Sequence, residues 1–336
     1  MKQKRNLTFK SQINFKISGI NIRLVSSDPA KSFLLNPSDK NFIRTCVRPD
    51  INIRIYYNNI PKIKFTRRNF LAQVDDWWSF HRVNGKKVFS LPRVEYRKRD
   101  FAVTHKKISI TQGQPKITTS REPSDFNSRN TLLPLPRRLA IFDSDFKKGD
   151  IYIDIPKSSL RVPNPLEYPL MFLVLSELLH LEEGIILHAC GVIKNNNQCY
   201  LFLGHSGDGK STMANLWKKD AVVLNDDRVP IRKIGNNFFA YAIPGFNNQK
   251  SSADLTKGVK ITGIFFLLKD NKNEIKRLNS MQSFAKLVAY TPAVAWDDVM
   301  FKKDINLLKQ IAGIVPCSLL HFRPGNEIIE MLLKYR

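Results

Sequence analysis

The sequence predicts an α/β fold in which a basic, β-rich N-terminal region precedes a domain of alternating helices and strands. The chain has 336 residues, of which 43% are hydrophobic, and this suffices for two packed domains, 1–164 and 165–336. Short runs with period-two alternation are typical of strands and make up most of the first region. After Pro165 the pattern changes to alternating helical and strand segments. These features exclude a disordered chain and a small disulfide-bonded scaffold.

Strands account for most of the predicted structure in residues 1–164. Alternating runs over 15–25, 51–57 and 88–91 predict half-buried strands. Asn84-Gly85 lies between two such runs and predicts a β-hairpin with a type I′ turn. Residues 111–138 are polar and contain prolines, so we expect a long loop or a partly mobile insertion there.

Helices and strands alternate in the second region. The pattern predicts helices over 166–181, 211–219, 280–289 and 304–314, strands over 184–193, 198–203, 221–224 and 261–268, and a segment 317–322 leading into a last helix over 326–333. This order is typical of a layered α/β domain.

The net charge of +25 lies mainly in the first half of the chain. Residues 1–160 contain 32 Lys and Arg against 13 Asp and Glu, a net charge of +19, whereas the remainder carries +6. Such a field attracts acidic partners, whether nucleic acid, an anionic membrane or an acidic peptide. The alternative is a chain whose basic side chains are simply solvated. Trp77, Trp78 and Phe80 could stack on bases, but we expect them to pack within the fold.

The four cysteines lie far apart without a C-x-x-C pair, which argues against a zinc ribbon, an iron–sulfur cluster and a disulfide framework. Residues 1–10 are basic and polar with no apolar segment behind them. The most apolar stretch, residues 168–181, is too short to span a membrane and contains Glu177 and His180. We therefore expect a soluble cytoplasmic protein with no membrane partner.

A glycine-rich loop is the most specific motif of the sequence. It matches G-x-x-x-x-G-K-S between a predicted strand and a predicted helix. In such a loop, glycines let backbone N–H groups converge on phosphates at the positive end of the helix. Lysine then bridges the β- and γ-phosphates and serine holds Mg²⁺. The expected nucleotide-binding residues are Gly204, His205, Ser206, Gly207, Asp208, Gly209, Lys210, Ser211 and Thr212.

A pair of carboxylates follows the next predicted strand, 16 residues beyond Lys210. Asp226 and Asp227 would lie at the end of that strand, where ligand chemistry occurs in α/β sheets. One carboxylate can serve a metal and the other can act as a general base, although a solvated turn would show the same residues. His188 lies in the apolar strand 184–193, where a lone histidine is more often a core residue than a catalytic one.

Taken together, these motifs resemble the HPr kinase/phosphorylase family, and more closely its HPr-kinase-like relatives of modified-peptide biosynthesis. The resemblance covers residues 165–336 and rests on His188-Ala189-Cys190-Gly191-Val192, on the loop 204–211 and on Asp226-Asp227-Arg228-Val229. Two residues depart from the family pattern, Asp208 inside the loop and Asn225 before the acid pair.

This resemblance implies a phosphoenolpyruvate-carboxykinase-like P-loop kinase core that uses Mg·ATP. It implies transfer of the γ-phosphoryl group to a serine hydroxyl of a protein or peptide, with His188 assisting the acid pair. Relatives in the family are often oligomeric, and the sequence leaves open whether this chain forms a homo-oligomer.

We expect Lys210 to neutralise phosphate, Ser211 and Asp227 to hold Mg²⁺, and Asp226 to accept the hydroxyl proton. The sequence leaves open which aspartate is base and which is metal ligand. The histidines and cysteines show no metal-ligand spacing, so Mg²⁺ is the only metal we propose. The alternative function is a noncatalytic, nucleotide-responsive protein that binds an acidic peptide or, through the basic N-terminal region, nucleic acid.

Overall fold

A computed structural model describes residues 7–9, 11–74, 78–92, 101–111, 114–124, 137–194, 198–218, 221–244, 254–291, 298–325 and 327–335. Its contacts divide the chain into two compact units. The first comprises Met1–Thr104 and Ser120–Leu178, and the second comprises His105–Thr119 and Leu179–Arg336. The described chain is an α/β protein with mixed sheets in which strands predominate.

The N-terminal part of the chain is built from strands and one 3-10 helix. The strands are β1 (Leu7–Phe9), β2 (Gln12–Ile17), β3 (Ile20–Ser26), β4 (Ser32–Leu35), β5 (Ile51–Tyr57), β6 (Phe70–Val74), β7 (Trp78–Val83), β8 (Lys86–Leu91), β9 (Phe101–Thr111), β10 (Gln114–Ser124), β11 (Arg138–Phe142), β12 (Lys148–Ile153) and β13 (Arg161–Pro163), and the 3-10 helix spans Pro37–Phe42.

Eight of these strands form the main sheet of the first unit, in the order β2-β3-β5-β12-β11-β8-β7-β6. Strand β5 shows why the sequence folds this way: Ile51, Ile53 and Ile55 are buried, whereas Asn52 and Arg54 between them are exposed. One face of the sheet therefore covers the core. Strands β1, β4 and β13 form a separate three-stranded sheet, and β9 pairs with β10.

The hairpin prediction is confirmed. Asn84 and Gly85 have φ angles of 50° and 75°, and they join β7 to β8 with Val83 opposite Lys86. Positive φ at both turn residues is what a type I′ turn requires. The run 15–25 is not one strand, because Ser18 and Gly19 also have positive φ and reverse the chain between β2 and β3.

The prediction of a loop over 111–138 is wrong for the first part of this segment. Residues Gln114–Ser124 form strand β10, which pairs with β9. Ile117, Thr118 and Thr119 have high strand propensity, and this outweighs the polar character of the segment. Residues 125–136 lie outside the described residues, as does Trp77. Trp78 and Phe80 are buried, as expected of packing residues.

The C-terminal part alternates helices with strands. Its elements are α1 (Leu170–Leu181), β14 (Gly184–Lys194), β15 (Gln198–Leu203), α2 (Lys210–Trp217), β16 (Val222–Asn225), β17 (Arg228–Ile234), β18 (Asn237–Ala240), β19 (Val259–Lys269), β20 (Glu274–Arg277), α3 (Ser280–Tyr290), α4 (Asp298–Ile314), β21 (Cys317–Phe322) and α5 (Glu327–Lys334).

Most of these elements were predicted, but two helix boundaries differ, and strand β20 and the β17–β18 hairpin were not predicted. Helix α1 begins at Leu170 rather than 166, because the residue before Pro169 is disfavoured in a helix. Helix α4 begins six residues earlier than expected, at Asp298. Strands β17 and β18 form an unpredicted hairpin around Gly235, whose φ is 59°. The predicted helix end at 219 lies outside the described residues.

The second unit is organised around an eight-stranded sheet. Its path runs β15-β14-β17-β18-β19-β21-β20, with β16 paired to β14 and a further parallel pairing between β15 and β19. Helices α2 and α5 contribute to a core with side chains of β14, β15, β19 and β21, whose largest members include Trp217, Phe202, Phe265 and Phe322. Within the described residues, no helix combines the length and apolar character needed to span a membrane.

Candidate functional site

The glycine-rich loop connects β15 to α2 as the motif predicts. Gly207 and Gly209 have φ angles of 88° and 109°, a region that side-chain-bearing residues rarely adopt. At Gly209 a Cβ atom would lie 2.5 Å from Cζ of the buried Phe322 ring. Glycine is therefore required at this position both by backbone conformation and by the close approach of β21.

Lys210 is buried, which is unusual for a lysine. Its Nζ donates hydrogen bonds of 2.8 Å to the carbonyl oxygens of both Gly204 and His205, so the amine lies inside the loop. Burial lowers its pKa, while the carboxylates of Asp227, Asp208 and Asp226 act in the opposite direction. The loop lysine and the acid pair are thus close enough to influence each other's charge.

Asp208 closes the loop from within. Its Oδ2 accepts a 2.6 Å hydrogen bond from the backbone N–H of His205. Its side chain also packs on Gly204, where an added Cβ would lie 2.7 Å from Cβ of Asp208. One loop amide that could face a phosphate is therefore occupied by a carboxylate of the chain itself.

The remaining loop residues are more open. His205, Ser206 and Ser211 are exposed, and Thr212 is partly buried. The His205 ring lies 4.6 Å from the ring of Tyr290 at the end of α3. The exposed hydroxyls at the start of α2 are accessible to an anion or a cation bound at the loop.

Asn225 shapes the turn that carries the acid pair. It is 4% exposed, and its Oδ1 accepts hydrogen bonds from the backbone N–H of Asp227 at 2.8 Å and of Arg228 at 3.1 Å. The carbonyl of Asp227 in turn accepts a 3.0 Å bond from the N–H of Ala189 in β14. The backbone of Asp227 is thus held from both sides.

The side chain of Asp227 lies between two basic groups. His188 Nε2 is 2.9 Å from its Oδ1, and Arg228 Nε is 3.3 Å from its Oδ2. Burial alone would raise the pKa of this carboxyl, but the hydrogen bond from His188 and the charges of Arg228, His188 and Lys210 hold it well below the usual range. Asp227 is therefore ionised throughout the neutral range.

Asp226 has a different environment. Its carboxylate forms no hydrogen bond or ion pair with another side chain in the described part of the chain. Burial raises its pKa and the neighbouring charge of Asp227 adds to this, whereas a hydrogen bond from its own backbone N–H and the charges of Lys218 and Lys210 act against it. The two adjacent aspartates thus differ, one fixed by partners and one without them.

Strand β14 brings the three motifs together. Ala189 pairs with Leu203 just before the loop, His188 pairs with Arg228, and Gly191 pairs with Asn225. The expected site residues therefore lie in the second unit around one strand. The prediction assigned no site role to Arg228, Asn225 or Tyr290; an asparagine two residues before the second aspartate is the usual signal for a side-chain-capped turn and could have identified Asn225.

The donors present suit a hard cation. A serine hydroxyl at Ser211 and the carboxylates of Asp226 and Asp227 are oxygen ligands of the kind that Mg²⁺ prefers. Across the described residues, no group of three or more His, Cys, Asp or Glu side chains is placed to hold a metal ion without other ligands. The four cysteines are free, and three of them are buried.

One family model matches this part of the chain. Residues 167–313 match the family described as ScmC, SynChlorMet cassette protein ScmC. The matched segment contains the loop, the acid pair and His188. A comparison with curated proteins finds no match.

Proposed function

We propose that the protein is a kinase that transfers the γ-phosphoryl group of Mg·ATP to a serine hydroxyl of a protein or peptide. The observation that carries this proposal is the arrangement of the acid pair. Asp227 is fixed by His188 and Arg228, whereas Asp226 beside it has no side-chain partner among the described residues, and both lie within electrostatic reach of Lys210 in the loop. A protein that only binds nucleotide has no need of this asymmetry.

The loop residues supply phosphate binding in this proposal. Lys210 exchanges the carbonyl oxygens of Gly204 and His205 for phosphate oxygens, because a charged acceptor forms the stronger hydrogen bond. The start of α2 adds backbone N–H groups and the positive end of the helix. Ser211 and Asp227 would hold Mg²⁺, which neutralises phosphate charge when bound.

The acid pair supplies the chemistry at the acceptor. The serine oxygen forms a bond to the γ-phosphorus while the bond from that phosphorus to the bridging oxygen of ADP breaks. Asp226 accepts the hydroxyl proton, since its carboxylate has no side-chain partner to compete with the proton. His188 and Arg228 keep Asp227 in place and ionised.

The finer fold assignment belongs to the same proposal. We infer that the second unit is a phosphoenolpyruvate-carboxykinase-like P-loop core of the HPr-kinase-like type. The order of His188, the glycine-rich loop and the acid pair supports this inference, as does their convergence on β14.

Binding of the nucleotide is tested with Lys210→Ala. Calorimetric titration with Mg·ATP should show binding to the wild type and its loss, or a decrease of at least tenfold, in the variant. Lys309→Ala is the matched control, because Lys309 is exposed on α4 and its substitution removes the same side chain at a position outside the loop. Equal affinity in all three proteins would remove the site from the loop.

Transfer is tested with labelled γ-phosphate, serine-containing acidic peptides and the proteins encoded beside this one, with mass spectrometry to locate the label. Asp226→Asn should keep most of the affinity for nucleotide while lowering transfer by orders of magnitude. Asp227→Asn should raise the Mg²⁺ concentration needed for activity. Nucleotide binding without transfer to any acceptor would favour the noncatalytic, nucleotide-responsive alternative.

A further inference from the structure

A groove in the first unit lies outside the glycine-rich loop and the acid pair. It has a volume of about 380 Å³, at the low end of the range of ligand pockets. Its apolar walls are formed by Ile60, Pro61, Ile63, Phe65 and Leu139. We call it the β11 groove, because Leu139 of β11 forms its base and the segment 58–66 forms its wall.

The wall segment is anchored at both ends. Asn58 donates its N–H to the carbonyl of Ile153 and accepts from the N–H of Ile155 through its side chain, each at 2.9 Å. At the other end, the Phe65 ring stacks on His81 of β7 with centroids 3.9 Å apart. The segment that forms the wall of the groove is therefore held in place at both of its ends.

Between these anchors the backbone offers unused hydrogen-bonding groups. The N–H and C=O groups of Lys62 and Ile63 have no partner among the described residues. The side chains alternate, with Ile63 partly buried towards the groove and Lys62 and Lys64 exposed. A segment with free main-chain groups and alternating side chains is suited to pairing with an added extended strand.

The charge around the groove is strongly positive. Residues 51–74 contain five basic residues and no acidic residue. Lys62 and Arg137 line the groove, both are exposed, and neither has an acidic partner within the described residues. Asp154 is the one acidic residue of the lining.

We propose that the β11 groove binds an extended segment of an acidic polypeptide. An apolar side chain of this segment enters the cavity, and its carboxylates pair with Lys62 and Arg137. Its backbone pairs with the N–H and C=O of either Lys62 or Ile63, because the main-chain groups of consecutive residues face opposite edges of an extended segment. The wall is aliphatic apart from Phe65, and His81 covers one face of the Phe65 ring. The groove therefore offers little aromatic surface on which nucleic-acid bases could stack. The carboxylate of Asp154 also opposes a phosphate backbone but can accept a peptide N–H.

The proposal uses no residue of the glycine-rich loop or of the acid pair. Binding is therefore measured without nucleotide, and its failure or success is separate from that of the kinase proposal. The probe is a fluorescein-labelled heptapeptide in which glutamates alternate with leucine or valine. Its binding to the full chain is measured by fluorescence polarisation.

The double variant Lys62→Ala, Arg137→Ala should weaken binding about tenfold or more, since it removes two charge-assisted pairs. The matched control is Arg48→Ala, Lys148→Ala, which removes the same two residue types from exposed positions of the same unit. It should change the affinity less than twofold. Hydrogen exchange should slow at the amide of Lys62 or of Ile63, whichever faces the bound peptide, when the peptide is bound.

Three results would overturn the proposal. The first is an equal loss in both double variants, which indicates unspecific attraction by net charge. The second is equal affinity for a peptide with glutamine in place of glutamate. The third is an oligothymidylate that competes with the peptide and protects the same amide, which assigns the groove to nucleic acid.

Discussion

Replacing Asn225 should damage catalysis more than nucleotide binding. Its Oδ1 accepts two backbone hydrogen bonds, from Asp227 and Arg228, and alanine leaves both donors without that acceptor. Each such bond contributes about 1 kcal/mol net, so Asn225→Ala should destabilise the second unit by about 2 kcal/mol. Part of this is offset, because the variant no longer buries the Asn225 Nδ2 group, which has no hydrogen-bond partner among the residues that the structure describes.

The midpoint of thermal unfolding, followed by calorimetry, should then fall by roughly 4 to 8 °C. The turnover number for phosphoryl transfer should fall at least tenfold, because a small displacement of Asp226 and Asp227 misplaces the reacting groups. The KM for ATP should rise less than the turnover number falls, since Lys210 forms its described hydrogen bonds with loop carbonyls and not with the Asn225 side chain. Asn225→Ser should be intermediate in both measurements, because a hydroxyl can accept at least one of the bonds.

The matched control is Asn306→Ala, which makes the same chemical change at an exposed position of α4. If Asn225→Ala unfolds at the same temperature as this control and keeps its turnover, the capped turn has no role in holding the acid pair. A loss of stability with full turnover at low temperature would likewise contradict a positioning role.

Three further predictions concern other parts of the chain. Burial raises the pKa of Asp39 in the first unit to about 6, so the folded state binds this proton more tightly than the unfolded chain does. The free energy of unfolding should therefore fall by about 3 kcal/mol as the pH rises from about 4 to 6. Urea titrations should show this pH dependence in the wild type and its loss in Asp39→Asn. Gly209→Ala should lower the free energy of unfolding in urea by about 2 to 5 kcal/mol, because backbone strain at φ 109° adds to the clash of the new Cβ with Phe322. Gly207→Ala has a φ of 88° and no atom within 4 Å of the added Cβ, so its loss of stability should come from backbone strain alone. Asp208→Asn keeps an acceptor for its loop amide and removes a charge, so calorimetry should show Mg·ATP binding about fivefold tighter; unchanged or weaker binding would contradict this.

Much of the fold could be predicted from local patterns. Strand β5 agrees with its predicted bounds, and the turn at Asn84-Gly85 has the positive φ angles that its residues favour. Such features depend on neighbouring residues alone. The β17–β18 hairpin also has a local signal, Gly235-Asn236 between two strand-like runs, which the prediction missed. Which strands pair within a sheet, such as β14 with β17, depends instead on residues that are distant in sequence.

The candidate site divides in the same way. The loop and the acid pair follow from residues close in sequence, and they could be located without a structure. The contact of His188 with Asp227 depends on the register between β14 and β17, which pairs residues about forty positions apart. The sequence alone could not show that one aspartate of the pair is held by two basic groups while its neighbour forms no ion pair within the described part of the chain.

The structure also changes what the loop motif implies. The motif predicts backbone amides and a lysine directed at phosphates, but Lys210 is bonded to two loop carbonyls and Asp208 is bonded to the amide of His205. Nucleotide binding therefore exchanges internal hydrogen bonds for bonds to phosphate, and the affinity measures the difference between the two sets. Because the Lys210 bonds gain a charged acceptor while the Asp208 carboxylate repels one, substitutions at these two positions should move the affinity in opposite directions, although both residues belong to one loop.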